Sequence, residues 1–493
     1  MMARPRIRHN DHGVLHPPDP GGWTPELPVS VVIPAHDYHD RLDLTLAALA
    51  AQSYPAELLE VVVVDDGSTP PVRLPEIRPE RTRLVTAGPD GWGPGHALRR
   101  GVDVAEGTVI HRLDADMIAC REEVELHLRW HHLADYLVVL GHRLMVDFTS
   151  GDLTPEQVRA SVAEGRSGEL YDPAGATPNH WIDAVSGETD GLREAGPSVG
   201  TTLVGASMSV PADLLRAAGG VDPRLTHGED TELGYRLSQA GAVFVPEAGA
   251  TSWHLGASGL LRDPEGTVRH NRPYLADLVP TLRLARRGVA RQWTVPYVDV
   301  VIDTRGAGHE AVCASVDAAL AGGVPDVRVT LLGPWDELGG ERRDVLAEEF
   351  VDARLTRVHY RGEGRVRFAT SAGRDSFPVP FRFTCPAGWR LHPGALARLV
   401  RWSDVRRLAV VPLGLPEGGE LGRLERTALV RRAALLSPDA SDLDGVLDEI
   451  GGVEGVDAAE WGTGEPPGPD DLSIDNLLTL LEEQGLRPPR ATP

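Results

Sequence analysis

Two runs of β-branched residues, Val29-Ser30-Val31-Val32-Ile33 and Val61-Val62-Val63-Val64, most constrain what this chain can fold into. Neither run alternates cleanly between apolar and polar residues. Both faces of each strand must therefore be covered, as in parallel strands buried between helices. Pro34 halts the first run, and Leu42, Leu46 and Leu49 recur at helical spacing before the second. The pattern predicts a β-α-β unit. Its second strand delivers Asp65-Asp66-Gly67-Ser68 at its carboxyl end, where open α/β sheets bind ligands beside a reversal of strand order. Taken alone, Asp-Asp-Gly-Ser is simply a good turn.

Three further stretches join this unit. Gly91-Trp92-Gly93-Pro94-Gly95 opens a predicted helix whose glycines let backbone approach a ligand closely. Val109-Ile110-His111-Arg112-Leu113-Asp114-Ala115-Asp116 is an apolar strand ending in two carboxylates one residue apart. Alternate residues of a strand share a side, so Asp114 and Asp116 can face one hard cation that shares its shell with substrate phosphates. Later, His227-Gly228-Glu229-Asp230-Thr231-Glu232 places carboxylates on the first turn of an amphipathic helix, where the helix dipole favours their ionised form and where capping alone also explains an Asp. Val243 to Pro246 reads as a short strand, and Trp253-His254 closes the segment.

Between these stretches, Glu122 to His132 reads as a helix with Glu123, His127 and His131 on one face. A transition metal there is the sharper reading, and a wet helix face the expected one. From Val146 to Ser198 the periodicity fades around an isolated Trp181, the pattern of a functional lid or binding loop.

A formal net charge of -23 disfavours a nucleic-acid partner, whose phosphates call for clustered cations. All 49 basic residues are Arg, which excludes lysine Schiff-base chemistry and a Walker A loop. Cys120, Cys313 and Cys385 are odd in number and far apart, so neither a disulfide framework nor a cysteine zinc site is expected, and a reducing cytoplasm fits best. Residues 1–28 read as a loose arm with at most peripheral membrane contact through Arg4, Arg6 and Arg8. No stretch approaches the ~20 apolar residues that span a bilayer.

The ordered series Val-Ser-Val-Val-Ile-Pro, Val-Val-Val-Val-Asp-Asp-Gly-Ser, Leu-Asp-Ala-Asp, Ala-Gly-Gly-Val-Asp and Gly-Glu-Asp-Thr-Glu-Leu-Gly-Tyr-Arg-Leu resembles family 2 glycosyltransferases of the GT-A fold. The resemblance implies a Rossmann-like mixed α/β sheet flanked by helices and a nucleotide-sugar donor, with a UDP-sugar favoured. The acceptor would be a hydroxyl on a glycan, a lipid-linked or a small molecule. Pro34 and His36 would lie along the nucleoside and Asp66 against the base. Asp114 would face the ribose or metal, Asp116 would bind the metal, and His254 would complete its shell, favouring Mn2+ over Mg2+. Asp230 would be the catalytic base, with Glu229 beside it. The pattern departs after the first strand, at Pro34-Ala35-His36-Asp37, and after the glycine-rich turn, where Arg99 is the candidate for the diphosphate. The rival readings are a sugar-nucleotide nucleotidyltransferase and a non-catalytic scaffold in polysaccharide assembly.

The expected organisation is a GT-A domain over 29–260, a helical connector over 261–295, and a second smaller α/β domain over 296–436. An acidic linker and a helix from Ser473 to Gly485 follow, within 437–493. The second domain repeats the strand-helix-strand rhythm and reads as a possible degenerate copy, with Gly333-Pro334 and Thr384-Cys385-Pro386 where the first carries carboxylates.

Overall fold

Strand β1 (Val29–Ala35) lies between β2 (Leu59–Asp65) and β4 (Val109–Leu113), parallel to both, and β3 (Thr82–Thr86) extends the parallel part beyond β2. These strands belong to a computed structural model that describes residues 4–178, 180–257, 263–286, 291–339, 349–437 and 442–464. Beyond β4 come β5 (Met117–Ile118), β6 (Leu137–Val146), β7 (Ser207–Pro211) and β8 (Val243–Leu255), giving the sheet order β3-β2-β1-β4-β7-β6-β8-β5. Strand β7 runs antiparallel to β4 and β6, while β6 and β8 run parallel. The order reverses between β1 and β4, so their carboxyl ends open a crevice.

The β-branched runs are buried as expected. Every residue of β2 is buried, as is every residue of β1 except Pro34. Each buried Val or Ile contributes about 1.5–3 kcal/mol relative to exposure. Helix α1 (His39–Leu49) lays Leu42, Leu46 and Leu49 into this core, and α2 (Pro94–Val104) follows the glycine-rich turn. Helix α3 (Glu123–His131) leads to β6, and α4 (Pro155–Ala163) and α5 (His180–Glu188) interrupt the stretch expected to be irregular. After α6 (Ala212–Ala217), α7 (Glu229–Gln239) carries the acidic first turn. Strand β8 is one continuous element from Val243 to Leu255, with a register irregularity opposite Gly141/His142, rather than the short strand expected.

Two glycines seat α7. A Cβ on Gly234 would stand 2.0 Å from the carbonyl oxygen of Gly200, and one on Gly200 would stand 2.3 Å from that of Gly234. Backbone meets backbone, with no flexible side chain to yield. Helix propensity alone would make Gly234→Ala stabilising by ~1 kcal/mol, but overpacking costs ~1–3 kcal/mol or more. We expect Gly234→Ala to lower the urea midpoint of the full chain; an unchanged or higher midpoint would show that α7 can shift freely.

Several boundaries differ from those read in the sequence. The first compact unit is Met1–Arg287 together with Thr427–Gly451. The arm is docked: Ile7 is fully buried, and Asn10 Nδ2 donates to Leu192 O and Phe244 O at 2.9 and 2.8 Å. Buried apolar side chains and hydrogen bonds such as these anchor a segment that composition marks as loose. The helix Pro264–Leu278, read as connector, belongs to the first unit. Residues taken as acidic linker form the helix Leu443–Gly451, which buries Val446, Leu447 and Ile450. With Thr427–Leu436, expected to close the second domain, it completes the first unit. Buried Arg432 in that preceding helix donates to Gly241 O and Ala242 O at 2.8 and 2.9 Å. The helix expected from Ser473 lies outside the described residues.

The second unit, Gly288–Arg426 with Gly452–Pro493, has its own core. Its strands are β9 (Val298–Asp303), β10 (Val327–Leu332), β11 (Val366–Ala369), β12 (Phe381–Pro386), β13 (Arg390–Leu391), β14 (Val410–Gly414), β15 (Glu420–Arg426), β16 (Val456–Asp457) and β17 (Gly462–Thr463). Strands β13 and β17 pair separately, and the main sheet has the order β11-β10-β9-β12-β15-β14-β16. Order and strand directions are those of the first sheet without its last edge strand. The ends of β10 and β12 continue as Gly333-Pro334 and Ala387-Gly388, without a carboxylate.

Candidate functional site

The crevice beyond β1, β2 and β4 is a cleft of about 780 Å³ within the first unit. The carboxyl ends of these strands supply Pro34, His36, Asp66, Asp114 and Asp116; α7 supplies Glu229 and Asp230, and β8 supplies His254. The structure therefore gathers every candidate residue except Arg99. Arg99 is not part of the lining. It sits half exposed on α2, with Nε bound to Asp103 Oδ1 one helical turn on, at 2.9 Å.

Asp114, Asp116 and His254 each offer one ligand atom within 4.8 Å of the others. Antiparallel pairing of Met117 with His254 brings β8 to the Asp-x-Asp exit. His254 Nδ1 donates to the carbonyl of Gly256 at 2.9 Å, which leaves Nε2 as an electron-pair donor 3.6 Å from Asp116 Oδ1. Arg41 Nη1 lies 3.7 Å from Asp116 Oδ2. Burial pushes the Asp116 carboxyl above its ordinary pKa and Asp114 adds to the rise, while His254 and Arg41 oppose it.

Gly228 takes a left-handed conformation, φ +77°, at the N-cap of α7, which a residue with a Cβ adopts poorly. It starts the helix so that Glu229 and Asp230 open the first turn. Thr231 N donates to Asp230 Oδ1 at 2.7 Å. Arg112 Nη2 bridges Asp114 Oδ1 at 3.5 Å and Glu229 Oε1 at 3.1 Å. Burial works against the Arg112 charge, yet Asp114, Glu229 and Asp230 outweigh it and hold its pKa above the usual value.

One arginine cannot neutralise three carboxylates. Burial, opposed by Arg112 and reinforced by Asp230, pushes Glu229 up to about 7. Folded Glu229 thus keeps its proton to higher pH than the unfolded chain, whose carboxyl titrates at the ordinary 4.5. Its contribution to stability is full below pH 4.5 and is lost as pH climbs through about 7. The denaturant midpoint of Glu229→Gln should accordingly gain on wild type across this window. A gap that narrows with rising pH would show that Glu229 folds ionised.

Sequence reasoning missed several lining residues. Arg143 on β6 lines the cleft, and its side chain makes no hydrogen bond or ion pair among the described residues; its Nε is buried without a partner. An arginine inside an apolar strand gave no period signal. Trp92 and Trp181 also line the cleft and are 56% and 46% exposed, so their faces are open to a ligand. Thr267 and Asn271 reach it from the helix Pro264–Leu278. Asp66 does more than face the cleft: its Oδ2 accepts from Gly93 N at 2.7 Å and so fixes the glycine-rich turn. His36 Nδ1 donates to Asp66 O at 2.9 Å.

The expected wet face of α3 is buried. Glu123 and His127 are fully buried and His131 nearly so, because the facing strands carry hydroxyls. Ser207 Oγ and Ser252 Oγ donate to Glu123 at 2.5 and 2.8 Å. His127 Nδ1 and His131 Nε2 share Ser209 Oγ at 2.9 and 2.7 Å, and His111 stacks on His127 with centroids 4.4 Å apart. Burial works against the Glu123 charge, but hydrogen bonds from His127 and Ser207 keep its pKa below the ordinary value. His131 turns to Ser209; the three groups that converge as possible ligands are Glu123, His127 and His111.

Fold and site together define a mixed α/β domain with an acidic ligand cleft at the switch point of its sheet. Residues 30–174 match the Glycosyl transferase family 2 model. Validoxylamine A glucosyltransferase of Streptomyces hygroscopicus subsp. limoneus is 31% identical over 252 residues, 49% of this chain and 54% of the relative. The pre-mycofactocin glycosyltransferase of Mycobacterium tuberculosis is 28% identical over 233 residues, 47% of this chain and 43% of the relative. The chain thus spans about half the length of the curated relatives it matches. A mannosyltransferase from Pyrobaculum calidifontis, solved with GDP-Man and Mn2+, aligns over 54% of this chain and 66% of its own at 17% identity and a TM-score of 0.33. Among the described residues no helix is long and apolar enough to cross a membrane.

Proposed function

We propose that the cleft transfers a sugar from a nucleotide-diphosphate donor to a hydroxyl acceptor with inversion at the anomeric carbon. The observation that carries this reading is one cleft holding an Asp-Asp-His cluster at the strand ends and Asp230 at the start of α7.

The cluster suits a divalent cation. Two carboxylates supply hard oxygen ligands, and His254 presents a nitrogen whose partner nitrogen is already committed to Gly256 O. Asp114, Asp116 and His254 would hold it, and the imidazole favours Mn2+ over Mg2+. Bound there, the cation would supply positive charge to the diphosphate leaving group.

The chain's own groups do the rest. Pro34, His36 and Asp66 line the nucleoside end, and the open faces of Trp92 and Trp181 stack against rings of base or sugar. Arg143, rather than Arg99, meets the diphosphate as an unpaired cation in the cleft. Asp230 Oδ2 takes the proton of the acceptor hydroxyl as that oxygen attacks the anomeric carbon from the face opposite the leaving group. A single base with one in-line displacement inverts the centre. Arg112 keeps Asp114 and Glu229 in place beside it.

A panel of UDP-, GDP- and TDP-sugars titrated by calorimetry with manganese present tests the donor class. We expect one nucleotide series, UDP first, to bind only with metal. Binding to none, or equal binding without metal, would contradict the reading.

A further inference from the structure

We infer that the second unit carries a transition-metal site formed by His309, Cys313 and His359, separate from the proposed transfer cleft and independent of it. The three residues come from two helices of one unit. His309 and Cys313 lie four residues apart on His309–Leu320, and so on one face. His359 lies on Val351–Tyr360. One ligand atom from each falls within 4.8 Å of the others.

The thiol and the imidazole lie at ligand spacing, and rotation of Cys313 Sγ off the ring edge of His309 would complete the site. Cys313 Sγ stands 3.6 Å from both ring nitrogens of His309. In a tetrahedral zinc site, a sulfur at ~2.3 Å and a nitrogen at ~2.0–2.1 Å from the ion are about 3.6 Å apart. His309 is already oriented: its Nδ1 is hydrogen-bonded to Thr356 Oγ1 at 3.0 Å, which leaves Nε2 for another partner. Thr356 is 1% exposed and so is itself held in place. The His309 backbone nitrogen donates to Asp352 Oδ1 at 3.0 Å, tying the start of one helix to the other. His359 packs its ring edge against His309, with centroids 5.5 Å apart.

Thiolate with imidazole selects zinc-like ions over magnesium or calcium. Three protein ligands with an exposed His359 at the rim leave a fourth position for water. The bonds formed are metal–Sγ and two metal–nitrogen bonds, and the thiol proton leaves to solvent, so binding weakens as pH falls. Ion binding would clamp the two helices of this unit.

Cobalt titration of the chelator-treated full chain tests the assignment. A thiolate bound to Co2+ gives a ligand-to-metal charge-transfer band in the near ultraviolet, which oxygen and nitrogen ligands do not. We expect the band to saturate at a single equivalent, to fall when Zn2+ is added, and to be absent in Cys313→Ser. His309→Ala and His359→Ala should weaken binding at least tenfold, while Asp116→Asn should retain the band. No band in the wild-type chain would overturn the inference, as would a band that survives Cys313→Ser and so comes from Cys120 or Cys385. Loss of the band in Asp116→Asn would overturn the site's independence from the cleft, whose ligands include no thiol.

Discussion

Asp230→Asn should leave donor affinity almost unchanged and lower sugar transfer by ~100-fold or more, the size of lost general-base help. The substitution is nearly isosteric. Its amide oxygen can still accept from Thr231 N, now 2.7 Å from Asp230 Oδ1, so the first turn of α7 stays capped. What disappears is a group able to take a proton. Removing the charge relieves Glu229, whose ionised form Asp230 opposes, and leaves Arg112 its two direct partners, Asp114 and Glu229, so the fold should change little. Calorimetry with the donor and single-turnover transfer separate the two effects. If affinity fell in parallel while turnover survived, Asp230 would be a cap and the base would lie elsewhere.

Asp116→Asn has the second large effect, on binding rather than chemistry. One of two carboxylates is lost from a cluster in which Asp116 also faces His254 Nε2 at 3.6 Å and Arg41 Nη1 at 3.7 Å. A hard cation shell built from so few charged ligands tolerates this poorly. We expect metal-dependent affinity for UDP to fall at least ~100-fold while melting stays near wild type, since burial already works against the Asp116 charge. Unchanged metal-dependent affinity would refute the clamp.

The residues whose place in the cleft was legible in the sequence are those whose position follows from local pattern. Val31 to Ile33 and Val61 to Val64 fixed a buried parallel pair because strands covered on both faces cannot alternate. Asp66, Asp114 and Asp116 were legible because they end such strands, and Asp230 because it opens an amphipathic helix. Roles set by long-range packing were not. Arg143 reaches the cleft only because β6 pairs with β8, more than a hundred residues later in the chain. The buried face of α3 looked wet because its partners, Ser207, Ser209 and Ser252, lie on two distant strands. Arg432 places its helix in the first unit by bonding carbonyls at Gly241 and Ala242, a partnership that an arginine in an amphipathic helix does not announce. His309 and Cys313 were passed over as well, since their third partner, His359, comes from another helix.

The most direct test of the proposed transfer site is an anomalous difference map, recorded at the manganese edge, from crystals of the full chain grown with UDP and Mn2+. The account predicts a peak bounded by Asp114, Asp116 and His254, with nucleotide density running from it towards Asp66. Nucleotide bound in the cleft with no peak beside those three residues, or a peak only in the second unit, would contradict it.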